Sequence, residues 1–371
     1  MTLDTTSPLQ TRLDRLRSAL NGASVDAIAL SPSDNLRHTI GFSPLADERF
    51  CALLVTASAE AFVVPQLNAD QTEAAVPGLP IFRWKDEDGA GRALAEALAR
   101  VDAAELRRVA VDPEMRAEAL LALLDAAPAL SAVNGAGVMR TVRETKEAGE
   151  IEVLTRSAAI ADEAMRRAIA ACRLGVTEYE VAAAASTAFN EAGAEERFVA
   201  VGSGPNGAFP HHEVSRRVLE DGDPVVIDLG GKLDSYWSDL TRMAVVGEPS
   251  SRYREVHDTV EAAVQAALAA ARPGATCGDV DRAARGVIED AGYGEHFLHR
   301  TGHGLGLSVH EAPWIMAGEP TPLRAGMVFS IEPGIYLERE FGIRLEEIVH
   351  LAEDGPRIFS GLPRTVRTVS T

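Results

Sequence analysis

With 371 residues, 46% of them hydrophobic, the chain exceeds what one core usually serves and is expected to form two domains. Its 55 acidic against 36 basic side chains give a net charge of -19, which argues against nucleic acid or an anionic membrane as partner, because both reward basic patches. Three scattered cysteines without a Cys-x-x-Cys pair, a polar start over 1–10 and no apolar run of membrane-spanning length point away from disulfide, zinc-knuckle, secreted and membrane classes and toward the cytoplasm.

Ser7-Pro8 opens a helix in which Leu9, Leu13, Leu16 and Leu20 recur at helical spacing, with Gly22 placed as its C-terminal cap. A buried strand follows at 25–30. The apolar segments 51–56 and 61–65, separated by a small polar turn, predict a hairpin. Alanine- and leucine-rich helices at 90–101 and 114–124 flank a strand at 109–111, so residues 1–140 read as an α/β domain. The stretch 34–49, with Arg37, His38, Asp47, Glu48 and Arg49, reads as a surface loop, the alternative being a loop over an active site. Arg143-Glu-Thr-Lys146 marks a junction ahead of a long alanine-rich helix through Cys172.

An internal repeat follows. Arg173-Leu-Gly-Val-Thr177 is echoed by Arg272-Pro-Gly-Ala-Thr276, Glu180-Val181 by Asp279-Val280, Ala192-Gly193 by Ala291-Gly292 and Phe198 by Phe297. In both copies a threonine can cap a helix and a glycine can end it before a strand. The same register sets His211 against His310 and, with a small shift, Gly222 to Asp228 against Gly326 to Glu332. Residues 141–371 therefore read as two helix-then-strands units that each bring a histidine and acids to one cleft.

If 232–235 is a hairpin turn, Asp228 and Asp239 fall about opposite each other, with Cβ atoms on the order of 5 Å apart. Like charges at that spacing need a proton or a cation between them. With Glu332, Glu346 and His303 added, the set is oxygen-rich and hard, and suits two divalent ions with a hydroxide between them. Strand alternation alone leaves Glu346 and Glu347 equal candidates. The glycines Gly302, Gly304 and Gly306 favour a loop around His303, bringing backbone close to something, over a helix that would carry both His299 and His303. His310 and His211 read as polarising groups, whereas solvated or packing roles are the default for His38, His212, His257, His296 and His350.

At these residues the chain resembles the metal-dependent aminopeptidase and prolidase family, the pita-bread hydrolases, from about Arg143 onward. The preceding segment resembles the creatinase-type N-terminal domain of the proline-specific branch. The resemblance implies an α/β fold class, with a creatinase-like N-terminal domain over 1–140 and a pita-bread catalytic domain, with an internal pseudo-two-fold repeat, over 141–371. It implies metal ligation by Asp228, Asp239, His303, Glu332 and Glu346, with Asp239 and Glu346 bridging, which selects Glu346 over Glu347. Glu332 matches the proton shuttle, His310 the residue that steadies the tetrahedral intermediate and His211 a substrate-contacting histidine. Arg344 matches an arginine that would suit either a substrate carboxylate or a ligand carboxylate.

The implied reaction is hydrolysis of the Xaa-Pro bond at the N-terminus of dipeptides or short peptides by a dinuclear metal centre. The short chain favours an Xaa-Pro dipeptidase, or prolidase, with an Xaa-Pro aminopeptidase as the alternative. Phe209, His211 and the segment 305–309 are candidates for a pocket that reads the proline ring by shape. Mn²⁺ is the leading expectation for the two metals, and Co²⁺, Zn²⁺ and Fe²⁺ suit the same ligands. The partner expected is a small peptide with proline second, and the family's habit suggests a homodimer. A non-catalytic peptide-binding module and a creatinase-like amidinohydrolase are disfavoured, because each should have lost the acids.

Overall fold

A computed structural model describes residues 8–370 and divides into two compact units, Met1–Arg143 and Glu144–Thr371. The expected helix start at Ser7 lies outside the described residues.

Alternation organises the first unit. In the strand Ala27–Leu30, Ile28 and Leu30 face one core and Ala27 and Ala29 another, and all four are buried, so both faces of the sheet need covering. Leu13, Leu16 and Leu20 from the helix Pro8–Ala23 and Val138, Met139 and Val142 from Ala136–Arg143 cover one face. Leu94 and Leu98 from Gly91–Arg100 and Leu123 from Ala117–Ala126 cover the other. The six strands lie in the order Ile81–Trp84, Glu60–Pro65, Ala52–Thr56, Ala27–Leu30, Arg108–Val111, Ser131–Asn134. The expected hairpin forms between Ala52–Thr56 and Glu60–Pro65.

Two local expectations fail in this unit. Gly22 lies inside the first helix, because Ser24, with φ 54°, takes the left-handed position after it. The stretch expected to be a loop begins with the helix Asp34–Ile40, capped by the Ser33 hydroxyl, which accepts from the Leu36 N–H, and ended by Gly41 at φ 78°. Two turns are too short for the apolar periodicity to register, yet the serine cap and the closing glycine are both in the sequence.

The second unit repeats itself. The helices Ala148–Ala171 and Glu178–Glu191 pair, as do Ser251–Ala270 and Cys277–Asp290. Thr177 and Thr276 each cap the second helix of their pair through a capping box, closed by Glu180 and Asp279 respectively. Gly193 and Gly292 follow these helices at φ 69° and 84°. The first helix pair lies with a sheet ordered Arg367–Val369, Leu240–Val246, Pro224–Leu233, Glu195–Ser203, with Tyr236–Trp237 paired to the third of these. The second lies with a sheet ordered Glu311–Ile315, Gly302–Gly304, Val328–Ile331, Glu347–Ala352, Gly355–Ile358. A separate hairpin joins Gly334–Leu337 to Phe341–Arg344.

Candidate metal centre

The first two acids come from a single hairpin. Asp234 and Ser235, with φ 48° and 75°, form a two-residue turn that sets Lys232 opposite Trp237 and Asp228 opposite Thr241. Asp239 therefore stands two residues along from the position facing Asp228, and the pair is diagonal rather than directly opposed. Both side chains still share a face. From the other half, His303 lies on Gly302–Gly304, Glu332 directly follows Val328–Ile331, and Glu346 directly precedes Glu347–Ala352. The strand of His303 is pressed between neighbours. A Cβ on Gly302 would stand 1.9 Å from the Ser330 carbonyl oxygen, and one on Gly304 2.1 Å from that of Ala312, so both glycines are required by close backbone approach.

Asp239, His303 and Glu346, all buried, bring ligand atoms within 4.8 Å of one another. His303 Nε2 lies 3.2 Å from Glu332 Oε1 and 3.7 Å from Asp239 Oδ2. His303 Nδ1 donates to its neighbour's carbonyl, Gly304 O, at 3.1 Å, which aims Nε2 at the acids as an acceptor among acceptors unless a proton or a cation intervenes. Burial, then the charge of Glu346, with Asp228 and Glu332 adding to it, pushes the Asp239 carboxyl well above its usual range. Burial, then Glu332 and Asp228, does the same to Glu346. For Glu332 burial also acts upward, but the hydrogen bond and charge of His303, with His299 and Arg344, overcome it and hold the group at about 2. Asp228 Oδ1 is buried with no hydrogen-bond partner. An orphaned carboxylate oxygen, an imidazole nitrogen turned toward carboxylates and acids that repel one another fit divalent cations and nothing apolar.

Around the acids the donors are committed in fixed directions. Arg344 has its Nη2 on Asp228 Oδ2 at 2.6 Å, Nε on Thr241 Oγ1 at 3.2 Å, and Nη1 shared between the Tyr336 hydroxyl at 2.8 Å and Pro210 O at 3.3 Å. Of the two carboxylates the sequence left open for Arg344, the structure pairs it with that of Asp228. The Thr241 hydroxyl donates to Glu346 Oε2 at 2.8 Å. Because a guanidinium only donates, Tyr336 accepts from Arg344 and gives its own proton to His299 Nε2, 2.8 Å away, leaving His299 Nδ1 to donate to Arg300 O at 2.7 Å. Glu347 points away from the acids, to Arg242 at 2.9 Å and Arg364 at 2.5 Å.

His310 stands edge-on to His303, with ring centroids 4.3 Å apart. Burial, then the neighbouring positive groups His303 and Arg300, lowers His310 to about 4, and His211 adds a weaker push in the same direction. The two histidines matched by the repeat, His211 and His310, are both exposed. The segment that carries each is fixed by an acid that the sequence did not single out. Glu178, fully buried in the first turn of Glu178–Glu191, accepts from Ser203 N and Oγ, Asn206 Nδ2, His212 Nε2 and Ser215 N and Oγ, at 2.6–3.0 Å, and so pins the segment that carries His211. Glu311, next to His310, is paired with the buried Lys146 at 2.7 Å.

Leu305 and Leu307 are buried, Leu305 packing with Leu154, Val328 and Ile348, whereas Val309 is half-buried and Phe209 is exposed. His212, one of the histidines expected in a solvated or packing role, is half-buried and holds Glu178 through Nε2 at 3.0 Å. Thr241, Tyr336 and Glu178 were missed by sequence reasoning, although Thr241 was marked by standing two residues after Asp239 on the same strand face.

A family model described as metallopeptidase family M24 matches residues 152–353, and one described as the creatinase/prolidase N-terminal domain matches 12–145. A protein named probable dipeptidase PepE, from Mycobacterium tuberculosis, is 39% identical over 364 residues, 96% of each chain. An Xaa-Pro dipeptidase from Pyrococcus horikoshii is 32% identical over 336 residues, 90% of this chain and 92% of that one. The crystal structure of a prolidase from Thermococcus sibiricus superposes with a TM-score of 0.91 at 32% identity, covering 98% of this chain and 100% of the other.

Proposed function

Because the chain belongs to metallopeptidase family M24 and is preceded in its first unit by a creatinase/prolidase-type N-terminal domain, we propose that it is an Xaa-Pro dipeptidase using two divalent ions. Asp228, Asp239, His303, Glu332 and Glu346 would hold the metals. The observation that carries this reading is the convergence of four acids and the Nε2 of His303 from both halves of the repeat, with Asp228 Oδ1 unsatisfied. When bound, the ions supply a water acidic enough to attack at neutral pH and a counter-charge for the carbonyl oxygen.

The chain's own groups do the rest. Glu332, ionised and aligned by the Ser330 hydroxyl at 3.1 Å, takes the proton of the attacking water and returns it to the leaving proline nitrogen. His310, kept neutral, offers an N–H to the oxygen on which charge develops. Arg344 balances Asp228 and, through Thr241, fixes the orientation of Glu346. His211 contacts the substrate from the opposite wall.

The reading extends to Mn²⁺ as working metal, a cytoplasmic location and a homodimer. It is compatible with three buried cysteines outside any disulfide and with the absence, among the described residues, of a helix long and apolar enough to cross a membrane. Hydrolysis of Ala-Pro against Ala-Pro-Ala, after chelation and with Mn²⁺ restored, tests it. Metal-restored cleavage of the dipeptide alone is expected. Cleavage of the tripeptide would make the enzyme an aminopeptidase, and cleavage of neither with any divalent ion would overturn the peptidase assignment of this site.

A further inference from the structure

The C-terminal half of the helix Ala148–Ala171 and the edge strand Arg367–Val369 enclose a pocket of about 440 Å³, a size that holds small molecules, and none of the five metal-binding candidates lines it. Ile169, Leu362 and Val369 give it apolar walls, each packed against the core between the first helix pair and its sheet. Three arginines share it, Arg166, Arg242 and Arg367, and no acidic side chain lines it. In a chain of net charge -19, a concave and wholly cationic lining selects for anions.

The walls are tied down. Leu362 O accepts from Arg242 Nη2 at 2.9 Å, Leu362 N donates to the Ser360 hydroxyl oxygen at 3.1 Å, and that hydroxyl donates to Asp162 at 2.6 Å. The strand Arg367–Val369 runs parallel to Leu240–Val246, and Gly247 N donates to Val369 O at 2.9 Å. On Leu240–Val246, Thr241 and Arg242 take opposite faces, Thr241 toward Glu346 and Arg242 toward the pocket. Arg242 is 2% exposed, with Nη1 donating to Thr241 O at 3.0 Å and Glu346 O at 2.5 Å and Nη2 to Glu347 at 2.9 Å. Its Nε is buried with no hydrogen-bond partner among the described residues, a cost that a bound acceptor removes.

A charge count gives the valence of that acceptor. Arg166 and its neighbour Arg167 are matched by Glu163 and Glu191, at 2.6–3.0 Å. Arg242 and Arg364 are matched by Glu347 and Glu261, at 2.5–2.9 Å. Arg367 is left over, its side chain making no hydrogen bond or ion pair with any described residue. One surplus positive charge calls for a monoanion, a planar guanidinium suits a carboxylate, and the apolar walls call for an apolar body. With no acid in the lining, the ammonium of a free amino acid or peptide would go unpaired.

We propose that this pocket is a ligand site separate from the metal centre and binds an aliphatic monocarboxylate that carries no amino group. The assignment stands whether or not the chain is a peptidase.

Calorimetric titration of the full-length, metal-loaded protein with octanoate, acetate, octanamide and inorganic phosphate tests it. Octanoate is expected to bind one site per chain, about 10-fold or more tighter than the other three, which lack the apolar body or the single negative charge. Arg367→Gln, at an exposed position, should weaken octanoate roughly 5- to 10-fold and leave octanamide unchanged, whereas a general disturbance would shift both. Hydrogen exchange of the wild type should gain protection from octanoate in 162–171 and 360–369. No octanoate binding at millimolar concentration, binding equalled by acetate, octanamide or phosphate, or affinity unmoved in Arg367→Gln overturns the proposal. Protection that falls instead on 302–304 and 328–350 would put the acid on the metals and overturns it too.

Discussion

Asp239 and His310 stand within one cluster but carry different burdens, and substitution separates them. Asp239 is raised by burial and then by its acidic neighbours, so Asp239→Asn removes a carboxylate from the cluster without creating a new buried charge. Hydrolysis should fall on the order of a thousandfold or more, and metal content measured on the purified protein should fall with it, while far-ultraviolet circular dichroism stays that of the wild type. Full retained activity would remove Asp239 from the centre. His310 touches His303 but has no carboxylate partner of its own among the described residues. His310→Ala should therefore cost turnover on the order of a hundredfold, the size of a lost transition-state donor, and leave metal content nearly unchanged. Equal loss of metal and rate would instead make His310 a ligand.

At the scale of elements, the N-terminal turn of Glu178–Glu191 has a second task beyond capping. Burial would raise the Glu178 carboxyl, but hydrogen bonds from Ser215, Ser203 and His212 outweigh it and hold the group at about 2. The sign follows from that depression. Its contribution to stability is complete above the unfolded value near 4.3 and disappears as pH falls toward 2; on the order of 3 kcal/mol is at stake at neutral pH. Glu178→Gln puts an amide where six donors converge, and urea unfolding at pH 7 should show a loss of about 1–3 kcal/mol. Repeating the titrations down to pH 3 should show wild type and variant drawing together, and a gap constant with pH would mean that Glu178 is not ionised in the folded protein. Gly304→Ala addresses the strand Gly302–Gly304. Its Cβ would meet backbone on Ala312 and Pro313, which cannot swing aside as a side-chain end can, so the variant should lose metal and activity together through displacement of His303.

The whole second unit is two similar halves that share one charge problem, and this explains how far the sequence could be read. Thr177 with Glu180 and Thr276 with Asp279 announced the repeat because capping is local chemistry, written in adjacent residues. The diagonal offset of Asp228 and Asp239 was not legible, because a turn at Asp234-Ser235 carries two positive φ values with no glycine or asparagine to advertise them. Nor was the commitment of Arg344 to Asp228, a contact 116 residues apart in sequence. What sets these distant parts against one another is the charge of the acids: Asp228 and Asp239 come from one half, and Glu332 and Glu346 from the other. Without a cation the halves repel across the cleft, so metal removal should loosen the unit as a whole. At a free metal concentration about 100 times its Kd, binding contributes about 2.7 kcal/mol, and for a unit of this size chelation should lower Tm by roughly 5–10 °C. Hydrogen exchange should locate the effect in 224–246, 302–304 and 328–350, the strands that carry the ligands, with 8–143 little changed. An unchanged Tm, or faster exchange spread evenly over both units, would show that the acids are not held together by bound metal.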